Sequence, residues 1–196
     1  MRVLESERLL LKPIEEEDIF ELLEIRWDRD VMALSLHDPI SKREQVEWFK
    51  KLSSKDLALS VFLKEEGKLI LIGTIGLYNI NQRHQRATFR MRLSHKAQGK
   101  GIGFEAGRML MEYGFNTLNL HKITGDQFRE NMAAVTFCRR LGFVEEGLLR
   151  KHHYQNGQFR DVSLVGLLKE DFIRTMEEWD KANNKSRVSP NPIHNE

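Results

Sequence analysis

One glycine-rich junction restricts the fold of this chain more than any other segment. The apolar alternation of residues 87–93 leads into it, and a helical pattern running to Leu118 follows it. Its residues are Gln98-Gly99-Lys100-Gly101-Ile102-Gly103. Three glycines within five residues let the backbone approach a ligand, because no Cβ atom stands in the way. The N–H groups of the loop and of the helix's first turn then converge beside the positive end of the helix dipole. The junction therefore predicts a strand-loop-helix unit that binds an anion. A diphosphate is the expected guest, and Lys100 adds a cation.

Other interpretations of the junction are open from the residues alone. Gly101 to Ala106 fit the dinucleotide pattern G-x-G-x-x-A, and Asp126 follows about 20 residues later. That pattern usually opens a parallel βαβ array, whereas three strands with apparent antiparallel pairing precede it here. Alternatively, the glycines only form a tight turn. A Walker A loop is excluded, because Gly101 stands where Ser or Thr is required.

The remaining hydrophobic pattern predicts an α/β (α+β) chain with one mixed, mostly antiparallel sheet and helices on both faces. Strands are predicted at 8–13, 57–64, 68–79, 87–93, 122–128, 143–154 and 159–168, and helices at 14–27, after Ser41, at 101–118 and at 131–141. Ser41 and Glu44 form a capping-box pattern, and Asn156-Gly157 is a strong hairpin signal. The predicted order is β-α-α-β-β-β-α-β-α-β-β.

Length and charge narrow the class of protein. A chain of 196 residues with a net charge of +2 favours one domain and gives no basic footprint for nucleic acid. No apolar run approaches the ~20 residues that span a bilayer, so no membrane partner is expected. We predict the domain at 4–172 and a polar, frayed tail at 173–196.

The cysteine and histidine content adds two expectations. Cys138 is the sole cysteine, which excludes an intramolecular disulfide and a multi-thiolate metal site. A reducing compartment, the cytoplasm, is the natural inference, since no apolar segment resembling a signal peptide follows Met1. The histidines lack metal-ligating spacing, so no metal is expected.

Three blocks of the sequence resemble the Gcn5-related N-acetyltransferase (GNAT) superfamily. The loop 98–103 is similar to the family signature Q/R-x-x-G-x-G/A. A second block is similar to the run N-x-x-A-(I/V)-x-(L/F)-Y-x-(K/R)-x-G-F, through Asn131, Ala134, Val135, Phe137 and Leu141-Gly142-Phe143. Residues 7–13 and 146–162 resemble the branch of ribosomal-protein-alanine and spermidine N-acetyltransferases. The resemblance extends over roughly residues 4–172.

The resemblance implies that acetyl-CoA is the co-substrate and lies between the strands 87–93 and 122–128. The backbone of Met91, Arg92 and Leu93 would then pair with the pantetheine arm. Residues 98–103 would hold the diphosphate, and Asn131 would hydrogen-bond the pantetheine. Either Arg139 or Arg140 would reach the nucleotide phosphate, although a solvated helix face is the competing interpretation.

The implied reaction is acetyl transfer to a primary amine of a small molecule or peptide. A protonated amine must lose a proton before it attacks, and the leaving thiolate benefits from an acid. Asp126 occupies the position of a glutamate proposed as the base in some relatives, and a strand-end carboxylate without a catalytic part is the alternative. Cys138 stands where most of the family carries a tyrosine acid. A thiol has a reference pKa of ~8.5 against ~10 for tyrosine, but cysteine is equally a small buried apolar residue.

The acceptor is open among a protein N-terminus, a polyamine and an amino sugar. Thr88 sits where polyamine-acetylating relatives tend to carry an acid, which weakens the polyamine assignment. The departure at Cys138 motivates an alternative function, a catalytically degenerate domain that senses acetyl-CoA. A homodimer is an expectation at the level of the family.

Overall fold

The structure is a computed structural model that describes residues 3–36, 38–53 and 55–183. Its strands are β1 (Leu4–Glu5), β2 (Leu9–Pro13), β3 (Leu57–Glu65), β4 (Lys68–Asn81), β5 (Arg86–Leu93), β6 (Lys122–Phe128), β7 (Val144–Gln155) and β8 (Gln158–Leu168). Its helices are α1 (Ile19–Trp27), α2 (Arg29–Ala33), α3 (Lys42–Lys50), α4 (Ile102–Asn116), α5 (Met132–Leu141) and α6 (Lys169–Asn183). Short 3-10 turns occupy Glu16–Asp18 and His95–Ala97.

All eight strands form one sheet in the order β1-β2-β3-β4-β5-β6-β8-β7. Every neighbouring pair is antiparallel except β5 and β6, which α4 connects as a parallel crossover. The parallel ladder contains three residue pairs, from Arg86↔Lys122 to Thr88↔Thr124, and ends there. The sheet therefore consists of two antiparallel parts that meet at a short seam. The predicted fold class, a mixed and mostly antiparallel sheet, is confirmed.

The two faces of the sheet carry different helices. The larger core lies under α4, α5 and α6, where Leu110 and Phe115 of α4 are almost fully buried. The smaller core lies under α1 and α3 and contains Leu22, Phe62 and Leu71. We call these the α4 face and the α1 face. Helices on both faces bury both sides of the central strands, which explains why those strands are so apolar.

Alternation along β5 directs its side chains to opposite faces. Phe89, Met91 and Leu93 pack against the larger core on the α4 face. Side chains of successive strand residues point to opposite sides, so Arg90 and Arg92 project from the α1 face. The predicted division of this strand into an apolar and a basic side is confirmed.

Two local predictions are also confirmed. The Ser41 hydroxyl accepts a hydrogen bond from the Glu44 N–H at 3.2 Å, and the Glu44 carboxylate accepts one from the Ser41 N–H at 2.7 Å. This reciprocal cap starts α3. Asn156 and Gly157 have φ values of +50° and +80° and form the β7–β8 turn. Both residues adopt the positive φ that such a hairpin turn requires.

The expectation of a frayed tail from residue 173 is wrong as far as Asn183. α6 continues through that stretch and buries Phe172 and Met176. Arg108 of α4 donates two hydrogen bonds to the Asp180 carboxylate, at 2.8 and 2.9 Å. The apolar residues recur every three to four positions and form a stripe that the polar average of the segment conceals. Residues 184–196, the rest of the predicted tail, lie outside the described residues.

The hydrophobic pattern of the sequence did not predict two short elements, and it predicted the start of α1 too early. β1 and α2 contain two and five residues, too few to show a period. The helix predicted at 14–27 begins as the Glu16–Asp18 turn, and α1 itself starts at Ile19. Within the described ranges, no helix is long and apolar enough to cross a bilayer.

Candidate active site

A cavity of about 850 Å³ occupies the opening beyond the β5–β6 seam. Its walls come from both faces of the sheet, with Phe137 and Arg140 on the α4 face and Arg26 and Trp48 on the α1 face. The cavity therefore passes through the sheet at the point where the parallel ladder stops. We call its two ends the α4 end and the α1 end.

The glycine loop lies at the α4 end and has the predicted conformation. Gly99 and Gly101 have φ values of +75° and +74°, a left-handed conformation that glycine adopts without strain. Gly101 is the N-cap of α4 and lines the cavity together with Gln98, Gly99 and Gly103. The first turn of a 15-residue helix thus opens beside the cavity, which suits a phosphate group.

Two members of the predicted loop site have other positions. Ile102 is 2% exposed and belongs to the hydrophobic core, where it anchors the start of α4. Lys100 is exposed and is not among the cavity-lining residues. Its carbonyl accepts a hydrogen bond of 3.1 Å from Arg8, which also forms an ion pair with Glu105. Arg8, the residue before β2, therefore ties the loop to the sheet from 92 residues away, a contact that no local sequence pattern indicates.

The end of β5 forms one edge of the opening. Met91, Arg92 and Leu93 pair with Ile75, Thr74 and Gly73 of β4 along one edge of the strand. Among the described residues, the opposite edge has no strand partner beyond Thr88. All three residues line the cavity, and the pairing of their backbone with a pantetheine arm stays a prediction.

Asn131 has a second task besides any ligand contact. It is the N-cap of α5, and its side-chain oxygen accepts a hydrogen bond from the Ala134 N–H at 3.1 Å. The residue also lines the cavity, and its Nδ2 group is the part that the cap does not use. Of the two candidate arginines, Arg140 lines the cavity, with its guanidinium 4.2 Å from the Phe104 ring centroid. Arg139 is exposed and lies outside the cavity lining.

Asp126 and Cys138 both line the cavity but approach it from different faces. Asp126 is an exposed residue of β6, and alternation along the strand places it opposite Gln127. The Cys138 thiol of α5 donates a hydrogen bond to the Gln127 side-chain oxygen at 3.3 Å. Burial raises the pKa of Cys138 to about 12, so the thiol keeps its proton at neutral pH. A carboxylate at the α1 end and a protonated thiol at the α4 end thus flank the opening.

The α1 end contains residues that sequence analysis did not assign to the site. They include Arg26, Gln45, Trp48, Tyr78 and Arg90. Burial raises the pKa of Tyr78 to about 12, so its hydroxyl stays neutral. A second cavity of about 480 Å³ adjoins this end and shares Asp126 with it. The two arginines on one side of β5 were the sequence signal for this end of the cavity. Nothing in the sequence showed that α1 and α3 would face that side.

Comparison with known proteins agrees with this geometry. Residues 8–144 match the family model of the acetyltransferase (GNAT) domain. The chain is 29% identical over 172 residues to the spermidine N(1)-acetyltransferase of Vibrio cholerae, covering 88% of this chain and 99% of that protein. It is 33% identical over 178 residues to p20, an uncharacterized N-acetyltransferase of Bacillus licheniformis, with coverage of 88% and 99%.

Solved structures give the same result. The crystal structure of the Vibrio cholerae spermidine N-acetyltransferase with CoA and spermine matches with a TM-score of 0.77 at 29% identity, covering 86% of this chain and 99% of that one. Another structure of that enzyme is dodecameric.

Within the described residues, no group of three or more His, Cys, Asp or Glu side chains is arranged to hold a metal ion. The chain therefore belongs to the Gcn5-related N-acetyltransferase family and transfers an acetyl group from acetyl-CoA to an amine.

Proposed function

We propose that acetyl-CoA lies in the opening between β5 and β6 and that a primary amine attacks its thioester from the α1 end. The observation that carries this proposal is the early end of the parallel ladder at Thr88 and Thr124, which leaves the edge of β5 without a strand partner from there towards the glycine loop. An unpaired strand edge beside an anion site suits a ligand that has both amide groups and a diphosphate.

The proposed donor site uses backbone more than side chains. The pantetheine amides pair with the edge of Met91 to Leu93, as an added strand would. The diphosphate accepts hydrogen bonds from the N–H groups of the loop 98–103. Asn131 donates through Nδ2, and Arg140, which lines the α4 end, reaches the nucleotide phosphate. Arg139 and the side chains of Lys100 and Ile102 have no contact in this arrangement.

The proposed reaction needs one base and one acid. Asp126 takes a proton from the acceptor ammonium, directly or through water, because only the neutral amine is nucleophilic. The amine nitrogen then bonds to the thioester carbon, and a backbone N–H of β5 stabilises the oxyanion. The C–S bond breaks, and a proton passes to the CoA sulfur. The nitrogen, now an amide, loses its second proton, which returns through water to the group that protonated the sulfur. Cys138 is the proposed donor, since its thiol is protonated at neutral pH, although it is a weaker acid than the tyrosine usual in the family.

The acceptor and the assembly are also part of the proposal. The acceptor is a primary amine of a small molecule or peptide, drawn from polyamines, protein N-termini and amino sugars. The name of the Vibrio cholerae relative supports a polyamine. Self-association is supported by the dodecamer of that relative, and a homodimer is the smallest unit we propose for this chain. We place the domain at residues 4–183, since α6 packs on α4.

Two measurements test the proposal. Calorimetry with acetyl-CoA is expected to give one site per chain, with no heat from NAD. Release of free CoA thiol is then followed over a panel of polyamines, peptides and amino sugars, and at least one amine is expected to give turnover. Acetyl-CoA binding without turnover of any amine would favour the sensor function. Binding of NAD in place of acetyl-CoA would contradict the donor assignment.

A further inference from the structure

The α1 end of the cavity is basic although it belongs to the acceptor side. Arg26 enters it from α1, and Arg90 and Arg92 enter it from β5. Asp56 is the only carboxylate among the described residues that line this end, apart from Asp126 at the opening itself. Three arginines therefore line the space into which the proposed acceptor fits.

The carboxylates near these arginines are occupied by other groups. Asp56 accepts hydrogen bonds from the Asn79 N–H and from the N–H and hydroxyl of Ser53, at 3.1, 3.1 and 3.0 Å. The charge of Glu44 opposes the effect of burial on the pKa of Arg26, but the Glu44 carboxylate already accepts the Ser41 N–H bond that caps α3. Within the described residues, neither Arg26 nor Arg92 has an ion pair.

Arg26 and Arg92 are also short of hydrogen bonds. The Arg26 Nη2 donates to the Asp38 carbonyl at 3.3 Å, and the Arg92 Nη2 donates to the Ser35 hydroxyl at 3.4 Å, both at the long limit. Among the described residues, the buried Arg26 Nε has no hydrogen-bond partner. The same holds for Oε1 of Gln45, a residue that is 4% exposed and lines the same end. Buried polar groups are normally paired, so these atoms point to a ligand.

The electrostatic effect of the cluster agrees with this geometry. The pKa of Arg92 is lowered to about 10, chiefly by burial and then by the positive charge of Arg26. Burial also lowers the pKa of Arg26. Two positive charges in a partly buried space repel each other, and an anion bound between them compensates this repulsion.

We propose that the α1 end binds an anionic group of the acceptor, so that the substrate is a primary amine that also carries a carboxylate or a phosphate. This inference rests on the proposed function and specifies its acceptor. The anion lies between Arg26 and Arg92, and the amine of the same molecule lies toward Asp126. Gln45 Oε1 accepts a hydrogen bond from a hydroxyl or amide of the substrate. A polyamine would bring further positive charge into this space and is disfavoured.

Matched pairs of amines test the inference. CoA thiol release is measured with glucosamine 6-phosphate and glucosamine, with the dipeptide Ala-Gly and its C-terminal amide, and with spermidine. The anionic member of at least one pair is expected to have a kcat/KM at least about tenfold above its neutral analogue and above spermidine. The phosphate and dipeptide arms identify which anion is bound. Turnover of spermidine or of the neutral amines without an anion preference would overturn the inference and leave the proposed function intact.

Substitutions at Arg26 and Arg92 test whether the anion preference depends on the arginine cluster. Arg26→Gln and Arg92→Gln are each expected to abolish most of the anion preference, whereas Arg92→Lys retains part of it. Arg43→Gln is the control, because the Arg43 side chain is 86% exposed and lies outside the cavity. Circular dichroism and the Kd for acetyl-CoA establish that each variant is folded. An anion preference unchanged in both Gln variants would overturn the inference.

A binding measurement keeps the inference testable if no amine in the panel is acetylated. Calorimetry on the CoA-saturated protein follows glucosamine 6-phosphate and Ala-Gly directly. Binding that is lost in Arg92→Gln supports the anion site even without turnover, while absence of turnover counts against the proposed function. Failure of both ligands to bind overturns the inference.

Discussion

Asn131 has a structural role and a proposed ligand-binding role, and two different measurements can separate them. Its side-chain oxygen caps α5 through the Ala134 N–H, and we assign its Nδ2 group to acetyl-CoA. Replacing a capping Asn with Ala costs about 1 kcal/mol of protein stability. A lost neutral hydrogen bond to the ligand costs a further 0.5–1.5 kcal/mol of binding free energy, or roughly a 2- to 13-fold rise in Kd.

The substitution Asn131→Ser keeps a capping oxygen and removes the amide. We expect its free energy of unfolding to stay within about 0.5 kcal/mol of wild type, because Ser caps about as well as Asn. The Kd for acetyl-CoA is expected to rise severalfold. Asn131→Ala is expected to lose both stability and affinity.

Urea unfolding and calorimetry with acetyl-CoA measure the two quantities on the same samples. Ser41→Ala serves as the control, since it removes a helix cap of the same kind at α3, away from the proposed donor site. It should lower stability and leave the Kd unchanged. Wild-type affinity in Asn131→Ser would refute the ligand role and leave Asn131 as a cap alone.

Three further predictions concern the catalytic residues and the C-terminal helix. Asp126→Asn should reduce kcat by more than about tenfold with an unchanged Kd for acetyl-CoA, because it removes the proposed base; full turnover in steady-state assays would exclude that role. Wild type should lose stability relative to Cys138→Ala as the pH rises from 9 towards 12, because the unfolded thiol ionises near 9.0 while the buried thiol keeps its proton to about 12. Urea unfolding at several pH values measures this loss, and parallel curves for the two proteins would contradict it. Phe172→Ala should destabilise the fold by about 3–5 kcal/mol, and Ile173→Ala, at a 41% exposed position, by less than about 1 kcal/mol. Equal effects of the two in thermal unfolding would show that α6 is not packed as described.

Features that depend on residues close together in the sequence could be predicted, and features that depend on distant residues could not. Alternation defined β5 and its two sides, and the glycine junction defined the start of α4, because both signals lie within a few residues. α6 was missed, since Phe172, Met176 and Trp179 lie in a polar segment and reveal a stripe only when its partner surface is known.

The acceptor half of the site could not be predicted in the same way. Arg26 and Arg92 are 66 positions apart in the chain, and only the folded sheet brings α1 over β5. The hydrogen bond from Arg8 to Lys100 joins residues that are even further apart, by 92 positions. Resemblance to the family indicated the loop that we propose for the donor, but the charges of the α1 end belong to this chain's own side chains.

The three-pair seam between β5 and β6 also has a consequence for local unfolding. Long antiparallel ladders of hydrogen bonds hold each part of the sheet together. Only three residue pairs of the parallel ladder, and the helices packed across them, join the two parts. Amides at the seam should therefore exchange with solvent sooner than those within either part. In the proposed arrangement acetyl-CoA pairs with the open edge of β5, so it should stabilise the folded state by about 2.7 kcal/mol at a hundredfold excess over Kd. The resistance of this protein to opening and proteolysis would then rise and fall with the supply of acetyl-CoA.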